Sequence, residues 1–407
     1  MRDLILQLSK SSIYSTKPIV TVSHRSGDLL PILLDGDGLP IPSPNEFLLS
    51  RRNLSTNTLI RNLRELSVFY RWLEDRQIDL RARLKTGTLF TEAEFSGGLI
   101  EFLRKDMESE DKVVSPHTFN NRLATIRQYF VWELDVYISS LPLSDSRYEV
   151  LQAARKRLMG WIDRAFINTP RAGSISRKSL TNDEAEFLLQ CLNPESPDSF
   201  AHFEPVKFRN FAAVSLMLNC GLRPGELLSL RVEDIKIGSI SSVTVKRRSP
   251  DPLDKRKPRP SVKRNGRVLP LEGHHFVRML DRYIVEWREI LEQKSSNETD
   301  YLILSDEGDP LSHSSLTQLF SRLRSEYSGS LPKILTPKSL RHTFSSRMEQ
   351  ALRAAGMEED RRKQALAMLR GDSSLESQSV YIAQEVEEQA RRALSDYQKK
   401  LITGFNK

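Results

Sequence analysis

The sequence predicts a mainly α protein with a small β-sheet, built as an N-terminal helical domain followed by an α+β domain. Three observations carry that expectation. Apolar residues recur every three to four positions through long parts of the 407 residues. Two short runs in the second half, 243–246 and 267–271, are rich in Val and Leu and read as strands. Between 168 and 179 the chain turns polar, basic and Gly/Pro-containing (NTPRAGSISRKS), which reads as a linker between two cores.

Residues 1–45 hold two β-like runs, 18–22 and 29–34, joined by a turn containing Ser26, Gly27 and Asp28, and read as an arm or hairpin. The helical domain spans 46–167. Two of its helices resemble each other at an offset of sixty: Ser55, Thr58, Leu63, Phe69, Tyr70 and Trp72 against Ser115, Thr118, Leu123, Tyr129, Phe130 and Trp132. Each starts at a serine cap, and Pro116 takes a first helical position. Residues 92–107 and 144–166 also read as helices, so a four-helix bundle is the economical packing.

The second domain, 180–383, opens on Thr181 and Glu184 as a capping box. Its stretch 208–220 is nearly all apolar and reads as a buried helix closed by Gly221. Thr336 caps a helix whose first position is Pro337 and whose stripe Leu340, Phe344, Met348, Leu352 runs towards Gly356. A further helix, 361–370, ends at Gly371, and Ser373 with Glu376 forms a capping box opening the helix that carries Tyr381. Residues 384–407 read as a terminal helix with the stripe Val386, Ala390, Ala393, Tyr397, Leu401, able to pack on its own domain or on a neighbour.

Composition narrows the class of protein. With 39% apolar and 28% charged residues the chain suits globular cores. No run approaches the ~18 apolar residues of a membrane span, and the start, MRDLILQLSKSS, lacks the apolar core and cleavage site of a leader, so a cytoplasmic protein is expected. Cys191 and Cys220 sit in apolar helical contexts, which argues against a disulfide framework or a cysteine metal site.

The formal charge of +8 is concentrated. Residues 246–267 hold Lys246, Arg247, Arg248, Lys255, Arg256, Lys257, Arg259, Lys263, Arg264 and Arg267 against Asp251 and Asp254, and this segment carries the whole excess. A cationic segment beside a balanced body attracts a phosphate backbone. Arg61 and Arg64, off the apolar stripe of their helix, are further candidates for such contacts.

Three stretches carry chemistry. In GLRPGELLSLRVEDI, 221–235, Pro224 suits the first turn of a helix, so Arg223 stands at a helix N-terminus where its guanidinium and free backbone amides favour phosphate. Glu226, three residues on, is a first-turn acid that complements the helix dipole. Lys338 and Arg341 share a face near the positive end of the helix that begins at Pro337. Tyr381 follows two short helices later.

These strings resemble the tyrosine recombinases, the phage-integrase family. GLRPGEL matches that family's first box, with Arg223 as its first arginine. TPKSLRHTFS resembles the second, with Arg341 as the second arginine and Lys338 where histidine is usual. LRGDSSLESQSVY aligns without a gap to the last, placing Asp372 at a position usually His or Trp and Tyr381 at the nucleophile. VKRNGRVLPL resembles the family's β-hairpin, whose lysine is the general acid: Lys263, with Lys246 as the rival. The resemblance implies a catalytic domain over 180–383 and, for 46–167, the helical core-binding (SAM-like) domain.

What the resemblance implies chemically is site-specific recombination of double-stranded DNA through a 3′-phosphotyrosine, without metal, ATP or other cofactor, by a homotetramer on paired sites, with accessory proteins and nucleoid association as further expectations. Integration or transposition of a mobile element would be its setting. Two other readings stay open at this level: a non-cutting DNA-binding protein of the same fold, motivated by Lys338 and Asp372, and a type IB topoisomerase-like enzyme.

Overall fold

The computed structural model describes residues 17–23, 29–107, 109, 112–168, 179–249, 251, 253–263, 266–372 and 389–399. The chain forms two compact units that divide between Ser174 and Ile175, within the stretch read as a linker.

In the first unit, β1 (Ile19–Ser23) and β2 (Leu29–Leu33) pair antiparallel with Ile19 opposite Leu33. The turn between them lies outside the described residues. Leu33 is fully buried in the same core as the helices, so the hairpin is part of the helical unit's packing. Six helices follow: α1 (Pro42–Leu49), α2 (Thr56–Asp75), α3 (Leu80–Lys85), α4 (Ile100–Arg104), α5 (Pro116–Ser139) and α6 (Ser146–Ala165), with a π-helical stretch, Ala93–Leu99, leading into α4. The bundle thus has more helices than the four expected. α1 and α3 are short, and α1 opens on Pro42, in a first turn where proline is compatible with a helix start.

The serine caps are as expected: Ser55 accepts from Thr58 N at 3.3 Å and Ser115 from Thr118 N at 3.2 Å. The residues repeated at an offset of sixty pack against one another. Phe69 meets the Phe130 ring edge-on at 5.2 Å, and Tyr70 and Tyr129 share a hydroxyl hydrogen bond of 2.6 Å. Arg61 and Arg64 are exposed on α2, Arg61 lying 3.6 Å from Glu65.

The second unit is built around α8 (Glu204–Cys220), whose residues from Phe208 to Cys220 are all buried. Before it runs α7 (Asn182–Cys191), with the Thr181–Glu184 capping box formed from both sides. After it come α9 (Pro224–Leu227) and a three-stranded antiparallel sheet in the order β3 (Ile235–Lys236), β4 (Ser242–Val245), β5 (Arg267–Pro270). Val243 lies opposite Leu269 in that sheet, and both are buried. β3 was not anticipated, because two residues are too short for a period-two signal.

The remaining helices are α10 (His274–Arg282), α11 (Arg288–Glu292), α12 (His313–Glu326), α13 (Pro337–Ala354) and α14 (Glu359–Arg370), with a π-helical stretch, Tyr283–Trp287, between α10 and α11. The α13 stripe Leu340, Phe344, Met348 and Leu352 is fully buried, each side chain contributing about 1.5–3 kcal/mol. The helix expected after Ser373 lies outside the described residues.

Residues 389–399 are helical and seat their stripe on this same unit. Tyr397 packs edge-on against Phe344 at 6.1 Å, and buried Gln398 donates to Asn219 O at 3.0 Å and accepts from Glu272 N at 2.8 Å. Within the single chain, residues 389–399 pack on their own domain. Among the described residues no helix is long and apolar enough to cross a membrane.

Candidate active site

The end of α8 brings the chemistry-bearing segments together. Gly221 is left-handed, at φ 60°, and closes α8. A Cβ there would lie 2.3 Å from Phe344 Cδ1, so the ring of α13 rests directly on the glycine. This close approach lets Arg341, one turn earlier on α13, donate Nη1 to the Gly221 carbonyl at 2.7 Å. Two residues beyond Gly221, Arg223 occupies the N-cap of α9 with extended backbone. The two arginines are thereby held by one helix end and one helix start.

Their outer nitrogens converge. Arg223 Nη2 and Arg341 Nη2 both donate to Asp372 Oδ1, the second at 3.2 Å. Both guanidiniums also reach the carbonyl of Arg370, at 3.2 Å from Arg223 Nη1 and 2.9 Å from Arg341 Nη2. Arg370 Nε stands 3.1 Å from Asp372 Oδ2, so three guanidiniums surround one carboxylate.

Beneath them lies a second carboxylate. Glu226 is 1% exposed and accepts from Arg223 N at 2.9 Å, Arg223 Nη1 at 2.7 Å, and Arg267 Nη2 and Nη1 at 2.9 and 3.3 Å. Arg341 Nη1 is 3.8 Å away from it. Burial works to raise the Glu226 pKa, but the hydrogen bonds and charge of Arg267, with those of Arg223, outweigh it and hold the carboxyl below its ordinary value. Burial, then the neighbouring Arg223 charge, pulls Arg341 down to about 10, which leaves it protonated at neutral pH.

The burial is graded. Glu226 and Arg341 side chains are 1% and 8% exposed, whereas Arg223 and Asp372 reach 27% and 32%. The cluster therefore has a closed floor of fixed charge and an open top where an anion meets two arginines. Short charge-assisted bonds from planar guanidiniums are strong and directional, which suits a tetrahedral oxyanion better than a lone ammonium does.

The remaining candidates fall around this centre in different ways. Lys263 is exposed in the β4–β5 connection, directly after buried Val262. Lys246, at the other end of that connection, lies 3.4 Å from Asp234 and 3.7 Å from Glu233. Lys338 is exposed in the first turn of α13. Tyr381 and Arg264 lie outside the described residues.

Within the basic segment the charges divide. Arg247, Lys255 and Lys257 are exposed. Arg248 instead binds Asp234 at 2.7 and 2.9 Å and Glu233 at 2.6 Å. Arg256, 9% exposed, chelates Asp254 at 2.9 Å and donates to the carbonyls of Leu228 and Leu311, each at 2.9 Å. Arg259 Nε donates to Asp254 O at 2.7 Å. In the described residues of this proline-rich connection, the side chains of Arg248, Arg256 and Arg259 turn onto partners within the protein.

Sequence reasoning missed two members of the site. Arg370 contributes its backbone carbonyl, for which no side-chain signal exists, as well as the guanidinium beside Asp372. Arg267 had one: its neighbours in β5 alternate, Val268 exposed and Leu269 buried, which puts Arg267 on the inward side with Leu269.

Comparison with known proteins agrees with this architecture. The model of the phage integrase family matches residues 178–386, about half of the chain. Tyrosine recombinase XerD of Halalkalibacterium halodurans is 26% identical over 194 residues, 48% of this chain and 56% of that protein, so the match spans about half of that relative's length. Tyrosine recombinase XerD of Oceanobacillus iheyensis is 23% identical over 303 residues, 74% of this chain and 82% of that protein. The crystal structure of XerH site-specific recombinase bound to difH substrate, a pre-cleavage complex, shares the fold with a TM-score of 0.51 at 16% identity, covering 92% of this chain and 90% of that one. By the match of that family model over half of its length, the chain belongs to the phage integrase family of site-specific tyrosine recombinases, enzymes that cut and rejoin DNA.

Proposed function

We propose that this chain recombines specific duplex DNA sites through a covalent 3′-phosphotyrosine on Tyr381, in the integration or transposition of a mobile element. The observation that carries the site assignment is the capture of one anionic oxygen, Asp372 Oδ1, by Nη2 of both Arg223 and Arg341. A non-bridging phosphate oxygen needs the same two donors as charge builds on phosphorus. The mobile-element setting is supported by the match to phage integrases.

In this reading Tyr381 Oη attacks the scissile phosphorus, the P–O5′ bond breaks, and the 5′-oxygen takes a proton from the Lys263 ammonium. The tyrosine proton passes to water or to Lys338, whose place in the first turn of α13 puts it beside Arg341. Lys263 is favoured over Lys246 because two carboxylates already hold Lys246. Asp372 keeps the two guanidiniums aligned and yields its place, wholly or partly, to the phosphate. Glu226 holds both arginines from below. Arg247, Lys255 and Lys257, with Arg61 and Arg64 of the first unit, supply backbone phosphate contacts. Four protomers act on two paired sites in the compartment that holds the DNA.

The test is a nicked duplex built from the site that the protein selects out of a random library. Wild type should yield a slow-migrating covalent adduct in the presence of EDTA, since guanidiniums supply the charge stabilisation, and Tyr381→Phe should bind with equal affinity and yield none. An adduct from Tyr381→Phe would overturn the nucleophile, and no adduct from wild type would favour a DNA-binding protein that does not cut.

A further inference from the structure

The connection between β4 and β5 carries Lys263, and it is pinned on both sides to the short helix α9. Before the lysine, the Ser261 backbone lies on Gly225: a Cβ built there would sit 2.9 Å from Ser261 O and 3.5 Å from Ser261 N. After it, Arg267 grips Glu226 with both Nη atoms, at 2.9 and 3.3 Å. Between these points Val262 is 7% exposed and joins the hydrophobic core. The lysine is thus an exposed residue directly after two seated ones, Ser261 and Val262. Gly225 occupies a helical position where alanine is the better helix former, and its backbone does not need left-handed freedom. What the glycine provides is room for a peptide carbonyl.

We propose that Gly225 is a positioning residue for proton delivery: by lacking a side chain it seats Ser261, and through it Lys263, against the turn whose N-cap is Arg223. This rests on Lys263 as the donor to the leaving group. One turn of helix then sets both the arginine that grips the phosphate and the lysine that protonates the departing 5′-oxygen. A Cβ at 225 lifts the loop by a few tenths of an ångström or more, and misplacing a catalytic group on that scale has a large kinetic cost. In the step itself the Tyr381 oxygen bonds to phosphorus, P–O5′ breaks, and the Lys263 ammonium gives its proton to O5′ and becomes the amine.

The experiment compares two versions of the selected nicked duplex, one with the ordinary ester and one with sulfur at the bridging 5′ position. A thiolate leaves without a proton, so a defect confined to proton delivery disappears on the sulfur substrate. Gly225→Ala should cut the oxygen ester at least about tenfold more slowly than wild type, bind DNA with affinity unchanged within about twofold, and cut the sulfur substrate within about threefold of wild type. Val262→Ala, which loosens the residue between Ser261 and the lysine from the core, should show the same pattern and serves if Gly225→Ala does not fold. Equal slowing on both substrates, or no slowing on either, overturns the proposal. Lys263→Ala calibrates the test. If sulfur does not rescue it, the reading of Lys263 as proton donor fails; if sulfur rescues Lys263→Ala but not the loop variants, only the role of Gly225 fails.

Discussion

Replacing Glu226 by glutamine tests whether one buried carboxylate holds the site. The side chain is 1% exposed and accepts four hydrogen bonds from Arg223 and Arg267. Glutamine keeps the shape, but its NH2 group faces guanidinium donors and its charge is gone. Removing one partner of a buried ion pair costs about 3–5 kcal/mol. At about 2–4 °C per kcal/mol for a unit of this size, calorimetry of Glu226→Gln should show the transition lowered by roughly 6–20 °C. The pH dependence has a definite sign. Folding holds this carboxyl below the ordinary value of about 4.3, so its stabilisation is complete above that pH and fades as pH falls through the folded value. Wild type should therefore lose stability more steeply than Glu226→Gln as pH falls below about 4.3. A shift under about 2 °C, or identical pH slopes, would refute the view that Glu226 anchors the arginines.

Arg341→Lys keeps a charge but cannot reach Gly221 O, Arg370 O and an anion at once, so adduct formation should fall by about a hundredfold while DNA affinity in a filter-binding assay changes little. Reversing Lys255 and Lys257 to Glu, both exposed, should weaken DNA binding and flatten the plot of log affinity against log salt by about 0.9 for each phosphate that is no longer neutralised. Arg256 between them must be left intact, because its reversal would break a buried pair with Asp254 and unfold the loop before DNA is tested.

Helices were legible in the sequence where a cap stood next to a stripe. Ser55, Ser115, Thr181 and Thr336 each mark a start that the structure reproduces. Without that pairing α8 and α14 were still legible, from a continuous apolar run and from the closing Gly371, but α1, whose N-cap Ile41 makes no side-chain cap, was not, and the helical run from His274 is interrupted by the π-helical turn Tyr283–Trp287 that shifts its periodicity. The basic segment shows a different limit. Counting charge finds Arg248 and Arg256 as readily as Lys255 and Lys257, but Arg248 finds its partners fourteen and fifteen residues back, at Asp234 and Glu233, and only the fold shows that they meet.

The site was legible as separate residues and illegible as a hub. Arg223, Glu226 and Arg341 could each be justified from their own helix starts, and Asp372 from its alignment to the family's last box. None of those local arguments says that Glu226 lies under Arg223, Arg267 and Arg341 together, at 2.7, 2.9 and 3.8 Å. The arrangement follows from a balance that spans the unit. Two arginines aimed at one anion repel each other, and burial makes that repulsion costlier, as the lowered Arg341 pKa reflects. A buried carboxylate beneath them offsets it, and Arg267 in turn compensates the carboxylate's own burial. Each charge in the chain Arg341, Glu226, Arg267 is tolerable only because the next is present. The strand that supplies Arg267 also ends the loop that supplies Lys263, so the charge balance of the phosphate clamp and the placement of the lysine are fixed by the same few residues of α9.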